Sequence, residues 1–351
     1  MLIKIGILFC AIVLICRVSF ADASVSAENR LEWWNDIPGF LNQQHKHSLD
    51  TVDSILRRFP PAKDQCEERR AALLLLDNVM HDVDAPERPA VQAFFVQRTE
   101  AAAASLKEQR TTKGARIWKL YNDGFIVRTT SATIAFDIVT GKHVGKGAFV
   151  LPDSVIEDFA RECDAMFISH MHPDHADPRV AEAFVRSGRP VAVPEGLWRD
   201  QPFADKLIRL NRDANAEQSV PIRDGAAKLA VVNCAGHQGE FLPNNVAIVT
   251  TPDGISVAHV GDQSNDKDFQ WIDKIGEKRK IDILMPNCWA PQLPRMIQGF
   301  RPAVVIPGHE NELDHTIDHR EPYWLDQVRL GKESSRAILM AIGESYEYTR
   351  D

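Results

Sequence analysis

Residues 165–175 read Ala-Met-Phe-Ile-Ser-His-Met-His-Pro-Asp-His, and no other stretch constrains the fold as strongly. Ala165, Met166, Phe167 and Ile168 form a short apolar run that predicts the end of a buried strand. His170, His172, Asp174 and His175 follow at once. In one loop, these groups crowd polar and charged atoms at a point, which costs stability unless something compensates. Imidazoles and a carboxylate are good ligands for zinc and related divalent ions, so a bound cation is the partner the pattern predicts. Pro173 narrows the loop's freedom. Asp177-Pro178 predicts an N-cap and first helical position, with Gly188 as the stop. The loop therefore lies between a strand end and a helix start, where a rigid scaffold can hold ligands still.

The His-x-His-x-Asp-His pattern resembles the signature of the metallo-β-lactamase superfamily, and four further positions fit that family's order. Asp137 ends the strand-like run 132–136, and His237 follows the apolar run that begins at Val231. Asp262 stands in His259-Val260-Gly261-Asp262, and His309 in Val304-Val305-Ile306-Pro307-Gly308-His309. The resemblance spans residues 115–315. It implies an α+β fold, a four-layered αββα sandwich, holding two divalent ions, zinc first, with manganese or iron as the other candidates. By that resemblance His170, His172 and His237 hold one ion. Asp174, His175 and His309 hold the second, Asp262 bridges both, and Asp137 orients ligands from behind. In such a site two ions about 3.5–4 Å apart lower the pKa of bound water towards about 7. The hydroxide attacks an electrophilic carbonyl or phosphorus, and Asp174 steers it or takes a proton. The expected activity is metal-dependent hydrolysis of an ester, lactone or phosphodiester, with a small molecule as substrate.

Asp262 in the bridging position, together with His175, departs from true β-lactamases, which makes amide hydrolysis of that type a secondary reading. The layout resembles the ascorbate-6-phosphate lactonase-like and phospholipase-D-like branch. It departs from that branch at two places. Tyr121-Asn122-Asp123-Gly124 stands where a Gly-His-Ala/Ser run is usual, and Gly261-Asp262-Gln263 replaces Gly-Asp-Thr. An iron-dependent oxidoreductase or thiol dioxygenase on the same fold is the other catalytic alternative. A metal-stabilised binding module is the third class, and seven intact ligand positions argue against it. Asn287 and Trp289, after the strand-like run 281–285, are the expected substrate neighbours: Asn287 for an oxygen, Trp289 as an apolar wall. His315 and His319 are expected on the surface or against a helix, and Glu310 in a structural role.

The first residues resemble a secretory signal: Lys4, an apolar run over 5–15, and Ala21-Asp22-Ala23 as the cleavage motif. The run is short for a bilayer span, and Val13-Leu14-Ile15-Cys16 matches a lipoprotein motif poorly. The expectation is an exported, periplasmic or extracellular, protein without a stable membrane span. Removing Lys4, Arg17 and Asp22 with residues 1–23 takes the formal net charge from −8 to −9. An acidic chain is a poor polyanion binder, so no nucleic-acid partner is expected. Export would permit disulfides. Cys66, Cys163, Cys234 and Cys288 allow three pairings, among which the sequence does not choose; Cys163, Cys234 and Cys288 read as small buried residues near strand ends.

With 44% hydrophobic and 26% charged residues, the chain can bury a core. Residues 24–110 have helical texture, with helices expected over 49–59 (Ser48 as cap), 66–81 and 89–109. They are expected to form a helical segment docked on the catalytic part, 111–351. Trp33-Trp34 reads as packing rather than as a lid. From Thr111 the pattern turns to strands, at 117–121, 125–129, 132–136, 225–232, 246–250 and 255–260. Asn122-Asp123-Gly124 and Pro252-Asp253-Gly254 mark turns, and helices are expected over 154–161 and 178–187.

Overall fold

The computed structural model describes residues 35–141 and 149–350. The signal-like stretch and Trp33-Trp34 lie outside the described residues. The chain divides into two units, Met1–Leu41 and Asn42–Asp351. In the first, the described residues open helix α1 (Ile37–Arg58), where Asp36 Oδ1 accepts from Gly39 N at 3.0 Å.

Among the described residues three helices precede the sheets: α1, α2 (Glu67–Met80) and α3 (Pro89–Glu108). α1 starts well before residue 49, so Ser48 is an interior position and not a cap. The reason is the stripe His45, Leu49, Val52 and Leu56, which keeps helical spacing upstream of the expected start. α2 turns its run of leucines to different sides. Leu73 and Leu76 are buried with Val79 and Met80, Leu75 is half-buried, and Leu74 is 48% exposed. α3 opens on Pro89 at a position where the missing N–H costs nothing.

Strands β1 (Ala115–Lys119), β2 (Phe125–Thr129), β3 (Thr133–Phe136), β4 (Ala165–Phe167), β5 (Val191–Ala192) and β6 (Leu207–Ile208) join β13 (Ser345–Tyr348) in a seven-stranded sheet, ordered β13-β1-β2-β3-β4-β5-β6. The second sheet is six-stranded, ordered β12-β11-β10-β9-β8-β7. Its members are β7 (Gln218–Ile222), β8 (Ala227–Gln238), β9 (Leu242–Thr250), β10 (Ser256–His259), β11 (Ile283–Met285) and β12 (Val304–Val305). β3 to β6 run parallel, as do β10 to β12. Helices α4 (Asp153–Glu162), α5 (Pro178–Arg186), α6 (Phe269–Lys278) and α7 (Leu293–Phe300) fall between these parallel strands, as parallel connections require.

Side chains alternate along each strand, and here both faces are covered. Ile117, Phe125, Val127, Ile134 and Phe136 share one core with Val231, Val249, Val257, Ile283 and Met285 of the other sheet. Their neighbours Trp118, Ile126, Ala135, Val232, Ile248, Ala258 and Leu284 belong to a second core with the helices. The result is the expected αββα sandwich. Two faces to bury explain why these strands read as continuous apolar runs.

Several strand boundaries differ from expectation, most clearly those of the β8–β9 hairpin and of β1. β8 runs on to Gln238 because β9 pairs with it out to His237↔Pro243 and Gln238↔Leu242. β1 ends at Lys119, since Tyr121 already belongs to the turn that returns Gly124 N to Tyr121 O at 3.1 Å. Helix α8 (Tyr323–Leu330) and strand β13 were not expected from the sequence. The four cysteines of residues 35–350 are unpaired, and Cys163, Cys234 and Cys288 are buried. Among the described residues no helix is long and apolar enough to cross a membrane.

The preceding helices bond to late parts of the chain. Arg69 of α2 makes a two-pronged ion pair with Glu344 at 2.7 and 2.5 Å, just before β13. Asp77 accepts from Asn311 Nδ2 at 2.8 Å and from Tyr323 N at 3.0 Å. α2 thus reaches the loop that follows His309.

Candidate metal centre

The candidate ligands stand at strand ends. Asp137 follows β3 with φ 42°, and the 170–175 loop follows β4. In the other sheet Asp262 follows β10 and His309 follows β12, with φ 74°. All four strands belong to the parallel runs, and ligand sites of open α/β sheets gather at the carboxyl ends of such strands. His237 comes from the end of the long hairpin strand β8.

Two groups form. Asp174, His175, Asp262 and His309 bring one ligand atom each to within 4.8 Å of one another, and so do His170, His172 and Asp262. Asp262 belongs to both. Its Oδ1 lies 3.3 Å from His175 Nε2 and 3.4 Å from His309 Nε2, while its Oδ2 lies 3.4 Å from His170 Nε2. Asp174 Oδ2 is 3.0 Å from His175 Nε2 and 3.4 Å from His309 Nε2. His237 is in neither group. Its Nδ1 is taken by Asp268, 3.1 Å from each carboxylate oxygen, which leaves Nε2 as its available ligand atom.

Polar atoms buried this deeply are ordinarily hydrogen-bonded. Here Nε2 of His170, His175 and His309 and Oδ1 of Asp262 are buried without a hydrogen-bond partner. Three nitrogens aimed at shared carboxylates fit a divalent cation between them. The electrostatics agree. Burial alone would lower His309, but Asp262, Glu312 and Asp174 outweigh it and hold its pKa up at about 10. Burial is likewise overcome at His175 by Asp174 and Asp262, which raise it. At His170 burial and the neighbouring His175 act together and lower it to about 3. The Asp174–Asp262 side of the pocket is built to hold positive charge.

The far side of the ligands is also specified. Asp137 is fully buried, accepts from Ser169 N at 2.8 Å and pairs with His175 Nδ1 at 2.8 Å. That bond sets which nitrogen of His175 stays free. Burial pushes Asp137 up, yet His259 and His175 outweigh it and hold it below the usual carboxylate range. Gln263 accepts from His237 N at 2.8 Å and donates to Asp268 at 2.9 Å. Gln238 donates to Asp262 Oδ2 at 2.9 Å. Asn122 donates to Asp174 Oδ2 at 2.9 Å. None of Asp268, Gln263, Gln238 or Asn122 was singled out as a site residue from the sequence. Asn122 had a faint signal, as the place where the chain departs from the pattern it otherwise resembles.

The expected substrate neighbours part company. Asn287 is fully buried and donates to Gly261 O at 2.9 Å. It bridges to Gly308, which draws it between the Asp262 and His309 loops and away from any open face. Trp289 is half-buried, its ring edge-on to His309 at 5.8 Å. His315 stacks on His309 at 6.0 Å, with Nδ1 3.2 Å from Glu312, and His319 is exposed. Glu310 is buried and ion-paired with Lys119. Two large apolar side chains stand exposed beside the ligands in sequence, Met171 at 60% and Phe241 at 83%.

No family model matches the sequence, and no curated protein matches it. Solved structures do. A metallo hydrolase, Igni18, from Ignicoccus hospitalis aligns over 68% of this chain and 99% of its own, at 20% identity and TM-score 0.51. An isothiocyanate hydrolase from Delia radicum gut bacteria aligns over 67% and 99%, at 14% identity and TM-score 0.50. At such identities the likeness is one of fold. With two facing sheets, helices outside them and the ligand order along the chain, this protein has the metallo-β-lactamase fold.

Proposed function

We propose that this chain is a two-ion metal-dependent hydrolase. The observation that carries the reading is Asp262, one carboxylate shared by two groups of imidazoles, of which His170, His175 and His309 bury Nε2 without a hydrogen-bond partner. His170, His172 and Asp262 Oδ2 would hold one ion, with His237 Nε2 as the candidate to complete it. Asp174, His175, His309 and Asp262 Oδ1 would hold the other. When bound, the ions supply Lewis acidity and lower the pKa of a bound water towards about 7.

The protein's own groups do the positioning. Asp137 fixes His175 and Asp268 fixes His237, each through Nδ1. Asp174 keeps 13% side-chain exposure against 2% for Asp262, so it is the carboxylate a water or substrate can reach. Asn122 holds its orientation from below. Trp289 and the exposed Met171 and Phe241 offer apolar contact to the non-reacting part of a substrate. Esters, lactones and phosphodiesters are the substrate classes we propose, and export with cleavage after Ala23 is proposed from the sequence. The test is turnover of chromogenic lactones, carboxylic esters, phosphodiesters and β-lactams by metal-loaded protein and by Asp262→Ala. Hydrolysis that chelation and Asp262→Ala both abolish supports the reading. Hydrolysis that survives both sinks it.

A further inference from the structure

The turn after β1 reads Tyr121-Asn122-Asp123-Gly124. It supplies no atom to either group that contains Asp262, although Asp123 clusters with Asp137 and His259, and it touches the supports of one of those groups from three directions. Asn122 Nδ2 donates to Asp174 Oδ2 at 2.9 Å, and the backbone O of Asn122 accepts from His309 N at 3.1 Å. Asp123 packs its carboxylate against Gly308, so closely that a Cβ at Gly308 would lie 2.1 Å from Asp123 Oδ1. Asp123 Oδ2 also faces His259 Nε2 at 3.1 Å. His259 Nε2 in turn lies 3.9 Å from Asp137 Oδ2, the atom that pairs with His175 Nδ1.

Asp174, His309 and His175 are therefore all braced from this one turn. They come from two different loops, and all three belong to the same group of four. Neither Asn122 nor Asp123 bonds the other imidazoles directly. His237 rests on Asp268 and Gln263, and His170 Nδ1 on Ser169 Oγ at 3.0 Å, a hydroxyl that also donates to Asp137. Asn122 is 3% exposed and Asp123 fully buried, so water does not substitute for either. Asn122 has φ 57°, a left-handed conformation that asparagine tolerates and glycine adopts freely.

We propose that Asn122 and Asp123 form a brace specific to the ion held by Asp174, His175 and His309, so that the two ions bind with separately adjustable affinity. Asn122 acts as a positioning residue: its amide fixes the Asp174 carboxylate while its carbonyl fixes the His309 backbone. The inference rests on the two-ion reading above. Losing a group that orients a metal ligand typically costs 10–100-fold in affinity, and here the cost falls on one ion and leaves the other.

The experiment is titration of metal-free full-length protein with zinc against a chromophoric chelator, which resolves two affinities. Asn122→Gly removes the amide without straining φ 57°. Asn122→Asp keeps the shape but sets a second carboxylate against Asp174. Asp268→Asn serves as the reference for the ion near His237. The expected result is two binding events in the parent protein. One should weaken 10–100-fold in Asn122→Gly and further in Asn122→Asp, with the other within about threefold. Asp268→Asn should weaken the event that Asn122→Gly spares. Equal loss of both events in Asn122→Gly, or loss of neither, overturns the brace and leaves the two-ion reading standing. A parent protein that binds fewer than two ions overturns the two-ion reading and the brace with it.

Discussion

Each oxygen of Asp262 faces a different set of imidazoles, so one residue joins what would otherwise be two sites. The candidate ligand His170 belongs to one group only. His170→Ala is expected to lower bound metal by about one ion per chain while the Asp174 group keeps its own, because Asp174 and His309 are held by Asn122 and His175 by Asp137, none of which needs the His170 ring. Elemental analysis checks it, and full retention would remove His170 from the ligand set. A second expectation concerns protons. His309, with its pKa held at about 10, carries a proton at neutral pH in the metal-free protein. An ion can take its Nε2 only as that proton leaves. Zinc binding at pH 7 should therefore release protons, and affinity should rise with pH. Calorimetry in two buffers of different ionisation enthalpy measures the release; its absence would contradict the pocket described here. The candidate ligand loop stood out in the sequence because four donors crowd into one short stretch after an apolar strand, and the fold gathers all four, His170, His172, Asp174 and His175, around Asp262. Asp268 and Gln238 were not, since a carboxylate opening a helix or an amide at a hairpin end looks like any solvated polar residue until the fold sets it against an imidazole.

At the scale of elements, helix α2 shows what pattern reading resolves and what it blurs. Its four leucines read as one apolar surface, but the helical period sends Leu74 out and Leu76 in. Leu76→Ala should cost about 2–5 kcal/mol through the cavity it leaves, whereas Leu74→Ala should stay within about 0.5 kcal/mol. Denaturant unfolding separates the two, and equal effects would contradict this packing. Asp77 on the same helix gives a pH signature. Burial raises it, with Asn311, Tyr323 and Trp324 opposing, to about 6. The unfolded chain holds this acid near its ordinary value of about 3.9, so between about pH 4 and 6 the folded state binds the extra proton. Its contribution to stability therefore falls as pH rises through that window, by about 3 kcal/mol in all. Relative to Asp77→Asn, the parent protein should lose stability between pH 4 and 7; a constant difference between the two would refute the assignment. The long strands were legible because both faces of each sheet are buried. The two-residue strands β5 and β6 and the polar β13 were not, because pairing with neighbours, rather than their own composition, makes them strands.

For the whole molecule, sequence pattern gives the mixture of helices and strands, and the resemblance gives their layering. Neither shows that α2 is pinned to the far end of the chain, because Arg69–Glu344 and Asp77–Asn311 join residues more than two hundred positions apart. Those ties bring the early helices to the loop beside His309, so ions held as proposed would stabilise the same region as the helices. Ions that bind only the folded chain raise its stability by mass action, about 2.7 kcal/mol per site at a hundredfold excess over Kd. Chelation should therefore lower the melting temperature of the parent protein and leave Asp262→Ala nearly unmoved. The central claim is that Asp262 joins two ion sites. Its most direct test is elemental analysis of purified parent protein and Asp262→Ala after equilibration with zinc. We expect close to two ions per chain in the parent and a marked loss in Asp262→Ala; two ions retained in the variant, or none in the parent, would contradict the account.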